Sequence, residues 1–197
     1  MGAKQLVSRR LVLRSSADEE SVDEHAARLG MARHAEIPAN EDEGVPRQIL
    51  WHAESGPALH YREDLFSGLP YIVFTSKDAG ALDDAVRLAE VALGTWRIPD
   101  LWQAVDAGRD SDEWPEDILR MGLGAPGEFD EEIYSRVVGA LHSDRDDVCE
   151  AGLIATTYQP WDEYVEPIRE LLHRDGLSKP LEETARTILD ELGAADS

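Results

Sequence analysis

Histidine is the residue type in this sequence best suited to bind a metal ion or to transfer a proton near neutral pH. The sequence holds six: His25, His34, His52, His60, His142 and His173. Only His52 and His60 are expected near one another, on two strands that join around Gly56. A three-residue loop would set them opposite each other on one face, and a four-residue loop would set them on opposite faces. Two ligands are too few for a metal ion without help from Glu54 or Glu63, so no metal site is predicted.

Carboxylates form four clusters that could bind a divalent cation or act as an acid–base pair. They lie at residues 41–43, 110–113, 130–132 and 144–147. None has the glycine and the trailing glutamate of a calcium-binding loop. Because acids in the first turn of a helix complement its dipole, the clusters are interpreted mostly as helix starts. Nucleophilic serine motifs and phosphate-binding glycine loops are also absent from the sequence, and neither a catalytic residue nor a cofactor is predicted.

Four tryptophans lie in the second half of the sequence, which is the more acidic half, near expected helix starts: Trp96, Trp102, Trp114 and Trp161. Aromatic rings surrounded by carboxylates suit the recognition of a lysine- or arginine-rich surface, through charge and through contact with the ring face. The alternative is that these rings wedge between packed helices. The first interpretation defines a candidate partner-binding set: Trp102, Asp112, Glu113, Trp114, Asp144, Asp146, Asp147, Trp161, Asp162 and Glu163.

The charge of the chain is strongly negative and unevenly distributed. The formal net charge is −22, of which residues 1–93 carry −6 and residues 94–197 carry −16. Such a surface repels nucleic acid and anionic membranes and attracts a basic partner, although a solvated acidic surface without a partner is the simpler alternative. The single cysteine, Cys149, fits a reducing compartment. With no signal peptide and no apolar stretch long enough for a membrane span, a soluble cytoplasmic protein is predicted.

The first half of the sequence alternates between strand and helix patterns. Strands are predicted at 5–14, 47–53, 58–63 and 71–75. A short helix is predicted between the capping residues 15–18 and Gly30, and a long helix, capped by Ser76 or Asp78, up to Leu93. Leu11 and Leu13 are expected on the opposite strand face from Val12, and Leu88 on the inner face of the second helix. Residues 35–45 are predicted to form a polar loop. The order β-α-β-β-β-α predicts a small antiparallel sheet covered by helices, in a domain that spans residues 1–94.

The sequence after Gly94 is helical throughout in its pattern. Helices are expected to start at Pro99 and at Trp114, because proline is well tolerated in a first helical turn. Residues 128–192 then contain four segments in which apolar residues recur every three or four positions. Their apolar stripes need one another for burial, which predicts helix pairs stacked in a domain that spans residues 95–197. The fold class predicted for the whole chain is α+β.

Residues 148–155, which follow the Asp-rich turn 143–147, resemble the second helix of a HEAT repeat. Similar segments lie thirty residues earlier, at 118–122, and thirty-three residues later, at 181–188. These intervals are shorter than the HEAT period of about 40 residues, and the last segment lacks the Asp-rich turn. The resemblance to HEAT-like or armadillo-type proteins covers residues 98–192 and implies a scaffold or a binding protein.

These features favour a non-catalytic, acidic protein-binding module. An immunity-type inhibitor that neutralises a basic protein is one concrete form of it. A second hypothesis is a small-molecule or metal-dependent enzyme with a site on the amino-terminal sheet, lined by Trp51, His52, His60, Tyr61, Glu63 and Tyr71. A third is an assembly or regulatory subunit in which the helical stack docks on a neighbour. The sequence leaves the oligomeric state open.

Overall fold

The computed structural model describes residues 4–109 and 111–193, except for the side chain of Glu41. The chain divides into two compact units, Met1–Arg97 and Ile98–Ser197. The first contains an antiparallel sheet with two helices, and the described part of the second contains helices only, which confirms the α+β class. No helix among the described residues is both long and apolar enough to cross a membrane.

The sheet of the first unit has the strand order β1-β6-β5-β4-β3, and β2 also pairs with β6. The strands are β1 (Leu6–Val7), β2 (Leu11–Val12), β3 (Ala32–Ile37), β4 (Gln48–His52), β5 (Ala58–Glu63) and β6 (Pro70–Ser76). The predicted apolar strand is confirmed as β6, whose residues 71–74 are buried. A strand with neighbours on both edges and burial on both faces needs such a continuous apolar run.

The prediction of one strand over residues 5–14 is wrong, because the ladder with β6 is interrupted at Ser8. The Ser8 N–H donates to the Phe74 carbonyl (2.9 Å), and the Ser8 hydroxyl accepts from the Phe74 N–H (3.0 Å). A side chain thus replaces a backbone acceptor, and the chain resumes pairing only at Leu11. The expected alternation agrees with the core, which includes Leu11 and Leu13 but not Val12, although all three residues are buried.

The prediction of a polar loop over residues 35–45 is wrong for its first part, which belongs to the edge strand β3. This strand pairs with β4 through backbone hydrogen bonds, with a bulge between Arg33 and Ala35. Most of its side chains are exposed, so it carries no apolar alternation that would mark it in the sequence. The observed order is therefore β-β-α-β-β-β-β-α.

Two helices, α1 (Glu19–Arg28) and α2 (Ala79–Ala92), complete the first unit. Asp18 caps α1 by accepting from the Ser21 N–H (2.9 Å), and Asp78 caps α2 in the same way. The core includes the sheet face that carries Ile49, Trp51, Leu59, Tyr61, Ile72 and Phe74, together with buried residues of both helices. The Trp51 indole donates to Asp23 (2.7 Å), which joins α1 to this face. The inward placement of Leu88 is wrong, since 44% of the residue is exposed.

The second unit consists of α3 (Ile98–Ala107), α4 (Trp114–Leu123), α5 (Glu131–Leu141), α6 (Asp146–Tyr158), α7 (Val165–Leu172) and α8 (Lys179–Glu191). Each predicted helix in the described part of this unit is present. Consecutive helices pack as pairs, α3 with α4, α5 with α6, and α7 with α8. Successive pairs then stack in two rows, one formed by α3, α5 and α7 and the other by α4, α6 and α8.

Hydrogen bonds between successive pairs recur at nearly constant sequence separation. Arg145 donates to the Ser111 carbonyl 34 residues away, and Arg174 donates to the Ser143 carbonyl 31 residues away. Gln159 donates to the Ala125 carbonyl, again 34 residues away. The pairs are therefore stacked in a regular way, while membership of the HEAT class stays a prediction.

Candidate partner-binding surface

The loops of the second unit lie at opposite ends of its helices and form two separate surfaces. We call residues 108–113, 143–147 and 173–178 the turn edge, apart from Asp110, which lies outside the described residues. Residues 128–134 and 161–164 form the aromatic edge. A ten-residue helix such as α4 separates them by about 15 Å, given a rise of about 1.5 Å per residue. The ten predicted partner-binding residues are thus not one site.

At the turn edge, one acidic side chain, that of Asp147, is held by an arginine of the same chain. Arg145 forms two hydrogen bonds with the Asp147 carboxylate, of 2.7 and 3.2 Å, in addition to its bond with the Ser111 carbonyl. The hydrogen bond from Arg145 lowers the pKa of Asp147 below its usual value. Asp112 interacts electrostatically with the same guanidinium. Asp144, Asp146 and Glu113 are exposed there as well.

The tryptophans of the predicted partner-binding set pack within the second unit and are not exposed. Trp102, on α3, is half-buried beneath the Arg136 guanidinium, 5.7 Å from its ring. Trp114 is half-buried at the start of α4. The indole N–H groups of Trp102, Trp114 and Trp161 are all buried and have no acceptor among the described residues. The interpretation that these rings wedge between helices describes Trp102 and Trp114 best.

The aromatic edge takes its name from four rings that contact one another. Trp161 stacks on Tyr164 at 5.5 Å, and Phe129 meets the Trp161 ring edge-on at 5.3 Å. Tyr134 closes the group, 5.4 Å from Phe129 and 5.6 Å from Tyr164. Trp161 and Tyr164 are buried, whereas Phe129 is 47% exposed. The outer member of a packed aromatic cluster thus faces solvent.

Carboxylates from two loops surround this cluster: Glu128, Asp130, Glu131, Asp162 and Glu163. Asp130 caps α5 by accepting from the Ile133 N–H (3.0 Å). The pKa of the Tyr164 phenol is raised by burial first, and then by Tyr134 and by the negative charges of Asp130 and Glu163. In the part of the chain that the structure describes, no lysine or arginine forms an ion pair with any of the five. Their negative charge is therefore not neutralised by an ion pair in the described chain, unlike that of Glu132, which pairs with Arg136.

Two thirds of the residues named for this surface were not predicted from the sequence. Trp161, Asp162 and Glu163 were among the predicted residues, whereas Phe129, Tyr134, Tyr164, Glu128, Asp130 and Glu131 were not. One signal in the sequence could have revealed this surface: an aromatic residue lies beside acids near the start of α5, at 128–131, and again just before α7, at 161–163. Two such segments about thirty residues apart meet when successive helix pairs stack.

The six residues of the alternative site on the amino-terminal sheet do not share one face of the sheet. Trp51, Tyr61 and Glu63 lie on the face that packs against the helices, whereas His52, His60 and Tyr71 lie on the other face. Both loop lengths considered for His52 and His60 are wrong, because five residues connect β4 to β5 and pair His52 with Ala58. Burial and the charge of Arg62 lower the pKa of His60.

No group of three potential metal ligands lies together among the described residues. A cavity of about 390 Å³ at the end of the sheet is lined by residues of the β4–β5 loop and of the segment before α2, including His52, Glu54, Lys77 and Asp78. All four of these residues are exposed. The aromatic edge is therefore the better defined candidate.

No protein-family model, no curated protein and no solved structure matches this chain.

Proposed function

We propose that the second unit is a non-catalytic binding module for a basic protein, and that the aromatic edge is its contact surface. One observation carries the proposal. Five carboxylates without a cationic partner in the described chain surround a ring cluster whose outer member, Phe129, is 47% exposed.

The aromatic edge has features that would favour both the approach and the retention of a basic protein. Unpaired carboxylates on one edge produce a negative potential that steers a cationic surface towards them and raises its association rate. An exposed aromatic ring held on a packed base supplies apolar contact area with little loss of conformational freedom, which slows dissociation. An acidic inhibitor that neutralises a basic protein, as in immunity proteins, needs both properties and no reactive group.

The turn edge supports the same function less well. Its Asp147 carboxylate is already engaged by Arg145, and its described residues include no phenylalanine, tyrosine or tryptophan. A partner would have to displace intramolecular hydrogen bonds to use Asp147, and it would find no exposed phenylalanine, tyrosine or tryptophan ring beside the other described acids of the turn edge. The turn edge is therefore assigned mainly to holding successive helix pairs together.

The test compares two variants with equal loss of charge. The aromatic-edge variant carries Glu128→Gln, Asp162→Asn and Glu163→Gln, and the turn-edge variant carries Asp112→Asn, Asp144→Asn and Asp146→Asn. Asp130 is left unchanged because it caps α5. Each purified protein is used at low ionic strength to capture partners from a lysate of the source cells, and the captured proteins are quantified by mass spectrometry.

The proposal expects a basic protein that the wild type and the turn-edge variant retain and that the aromatic-edge variant loses. With that protein purified, its association rate should fall steeply as salt rises. Identical sets of captured proteins for all three baits would contradict the proposal. So would a partner lost only from the turn-edge variant.

A further inference from the structure

The exposed ring at the aromatic edge is held in one place by its neighbours. Phe129 lies 5.4 Å from Tyr134 and 5.3 Å from Trp161, and its remaining surface is open to solvent. Beneath it, Trp161 is about nine-tenths buried and keeps an indole N–H without an acceptor in the described chain. The position of the ring is thus set before any partner binds, which reduces the entropic cost of binding.

Elsewhere in this protein, aromatic rings of similar type are covered by arginines of the same chain. Guanidinium groups lie over Trp96 at 4.1 Å, over Trp102 at 5.7 Å, and over Trp51 and Tyr61 at 5.9 Å. In the described residues, no arginine or lysine stacks on Phe129, Tyr134, Trp161 or Tyr164. The aromatic edge therefore has rings on which a guanidinium could stack, but the described chain supplies no guanidinium there.

A guanidinium site needs hydrogen-bond acceptors as well as a ring, and the carboxylates near Phe129 are such acceptors. Glu128 is adjacent to Phe129 in sequence, and Asp162 and Glu163 directly follow Trp161. Arginine can stack its planar face on a ring and at the same time donate two parallel hydrogen bonds to a carboxylate. Lysine is a compact and strongly hydrated charge that makes neither contact as well. A ring bordered by carboxylates thus discriminates between the two cations.

We infer that the aromatic edge binds an arginine side chain of the basic partner, with the guanidinium on the Phe129 ring and its N–H groups donated to the flanking carboxylates. This inference rests on the proposed function and specifies the chemistry of the partner. It predicts selection for arginine over lysine at equal charge.

The experiment uses the full chain and two synthetic peptides of equal length and charge, with either arginine or lysine at the same positions. Affinities are measured by isothermal titration calorimetry at low ionic strength. The wild type is expected to bind the arginine peptide about five- to tenfold more tightly than the lysine peptide. Phe129→Leu should reduce that ratio to about one, and Phe129→Trp should preserve or increase it.

Phe66→Leu is the matched control, because Phe66 is 68% exposed but belongs to the β5–β6 turn of the first unit. It should leave the ratio unchanged. Thermal unfolding of each variant shows that the fold is intact, and the Phe129→Trp rescue separates loss of stacking from a structural defect.

The outcomes separate the inference from the proposed function. Equal affinities for both peptides, both weakened in the aromatic-edge charge variant, would overturn arginine selection and leave the acidic binding module in place. A preference that survives Phe129→Leu would also overturn it, as would equally tight binding of spermine, which has no guanidinium. If neither peptide binds, or if the charge variant binds both as well as the wild type, the inference and the proposed contact surface are both refuted.

Discussion

The turn edge and the aromatic edge contain similar numbers of acids but join successive helix pairs through different contacts. At the turn edge, Arg145 and Arg174 reach back to carbonyl oxygens of the preceding helix pair, and Arg145 also engages Asp147. At the aromatic edge, stacking is achieved by apolar ring contacts; Glu132 pairs with Arg136 (2.7 Å), and the other five acids form no ion pair in the described chain. The comparison teaches that acidity alone does not locate a binding surface. What distinguishes the aromatic edge is the packed ring cluster beside its acids.

The largest effect is expected at the close contact between α4 and α6. A Cβ added at Gly122 would lie 2.7 Å from the Ala155 Cβ and 2.9 Å from its Cα, so α4 and α6 would have to separate. Gly122→Ala should therefore lower the free energy of unfolding by about 1–3 kcal/mol, measured by denaturant titration.

Gly139→Ala is the matched control on α5. Nothing lies within 4 Å of a Cβ added at Gly139, and the residue is exposed. The change should stabilise the protein by about 0.5–1 kcal/mol, because alanine favours the helix more than glycine does. Equal effects of the two substitutions would show that the α4–α6 contact is looser than described.

A second prediction concerns the arginine that distinguishes the turn edge. Arg145→Met removes the bond to the Ser111 carbonyl and the ion pair with Asp147, so the melting temperature should fall. The pKa of Asp147, followed by NMR, should rise towards its ordinary value because its main cause of depression is lost.

Arg186→Met provides the comparison, since Arg186 pairs only locally with Glu182 on α8 among the described contacts. Its effect on the melting temperature should be smaller, as expected for an exposed ion pair within one helix. Binding of an arginine peptide at the aromatic edge should be unchanged in Arg145→Met. A loss of binding there would show that the two edges are not independent.

The smallest effect is expected from the Tyr164 hydroxyl at the aromatic edge. Because burial raises the folded-state pKa of Tyr164 above the value of about 10 expected in the unfolded chain, unfolding releases a proton at high pH. The contribution of this group is therefore complete below pH of about 10 and is lost as the pH rises. Tyr164→Phe should make unfolding less dependent on pH in that range, measured by thermal unfolding in a pH series.

Tyr61 allows a test in the first unit, because burial raises its pKa to about 12. Tyr61→Phe should reduce the alkaline sensitivity of the first unit and leave that of the second unchanged. If Tyr164→Phe and the wild type show the same alkaline slope, the phenol is less enclosed than the described packing implies.

Several parts of the fold could be predicted because they depend on local pattern. The helices at 131–141 and 179–191 bury one stripe, and the period of three and four residues is visible without any partner. The central strand β6 is apolar throughout because both of its faces are covered. The edge strand β3 could not be predicted, since its exposed side chains follow no such rule and only backbone pairing with β4 defines it.

The candidate site was predictable only in part, for a related reason. Trp161, Asp162 and Glu163 adjoin in sequence and could be grouped by inspection. Their association with Phe129 and Asp130 depends on the stacking of α5 against α7, some thirty residues further along the chain. Likewise, Asp147 looked equivalent to Asp162 in the sequence, and only the reach of the Arg145 side chain distinguishes them.

By itself, the sequence determined the fold class, the positions of the helices, and the concentration of negative charge in residues 94–197. These follow from periodicity, from turn-forming residues and from composition, which are properties of neighbouring positions. Tertiary structure alone decided which acids are neutralised and which rings meet, because both depend on contacts between helix pairs. The exposed ring with its unpaired carboxylates arises from that stacking.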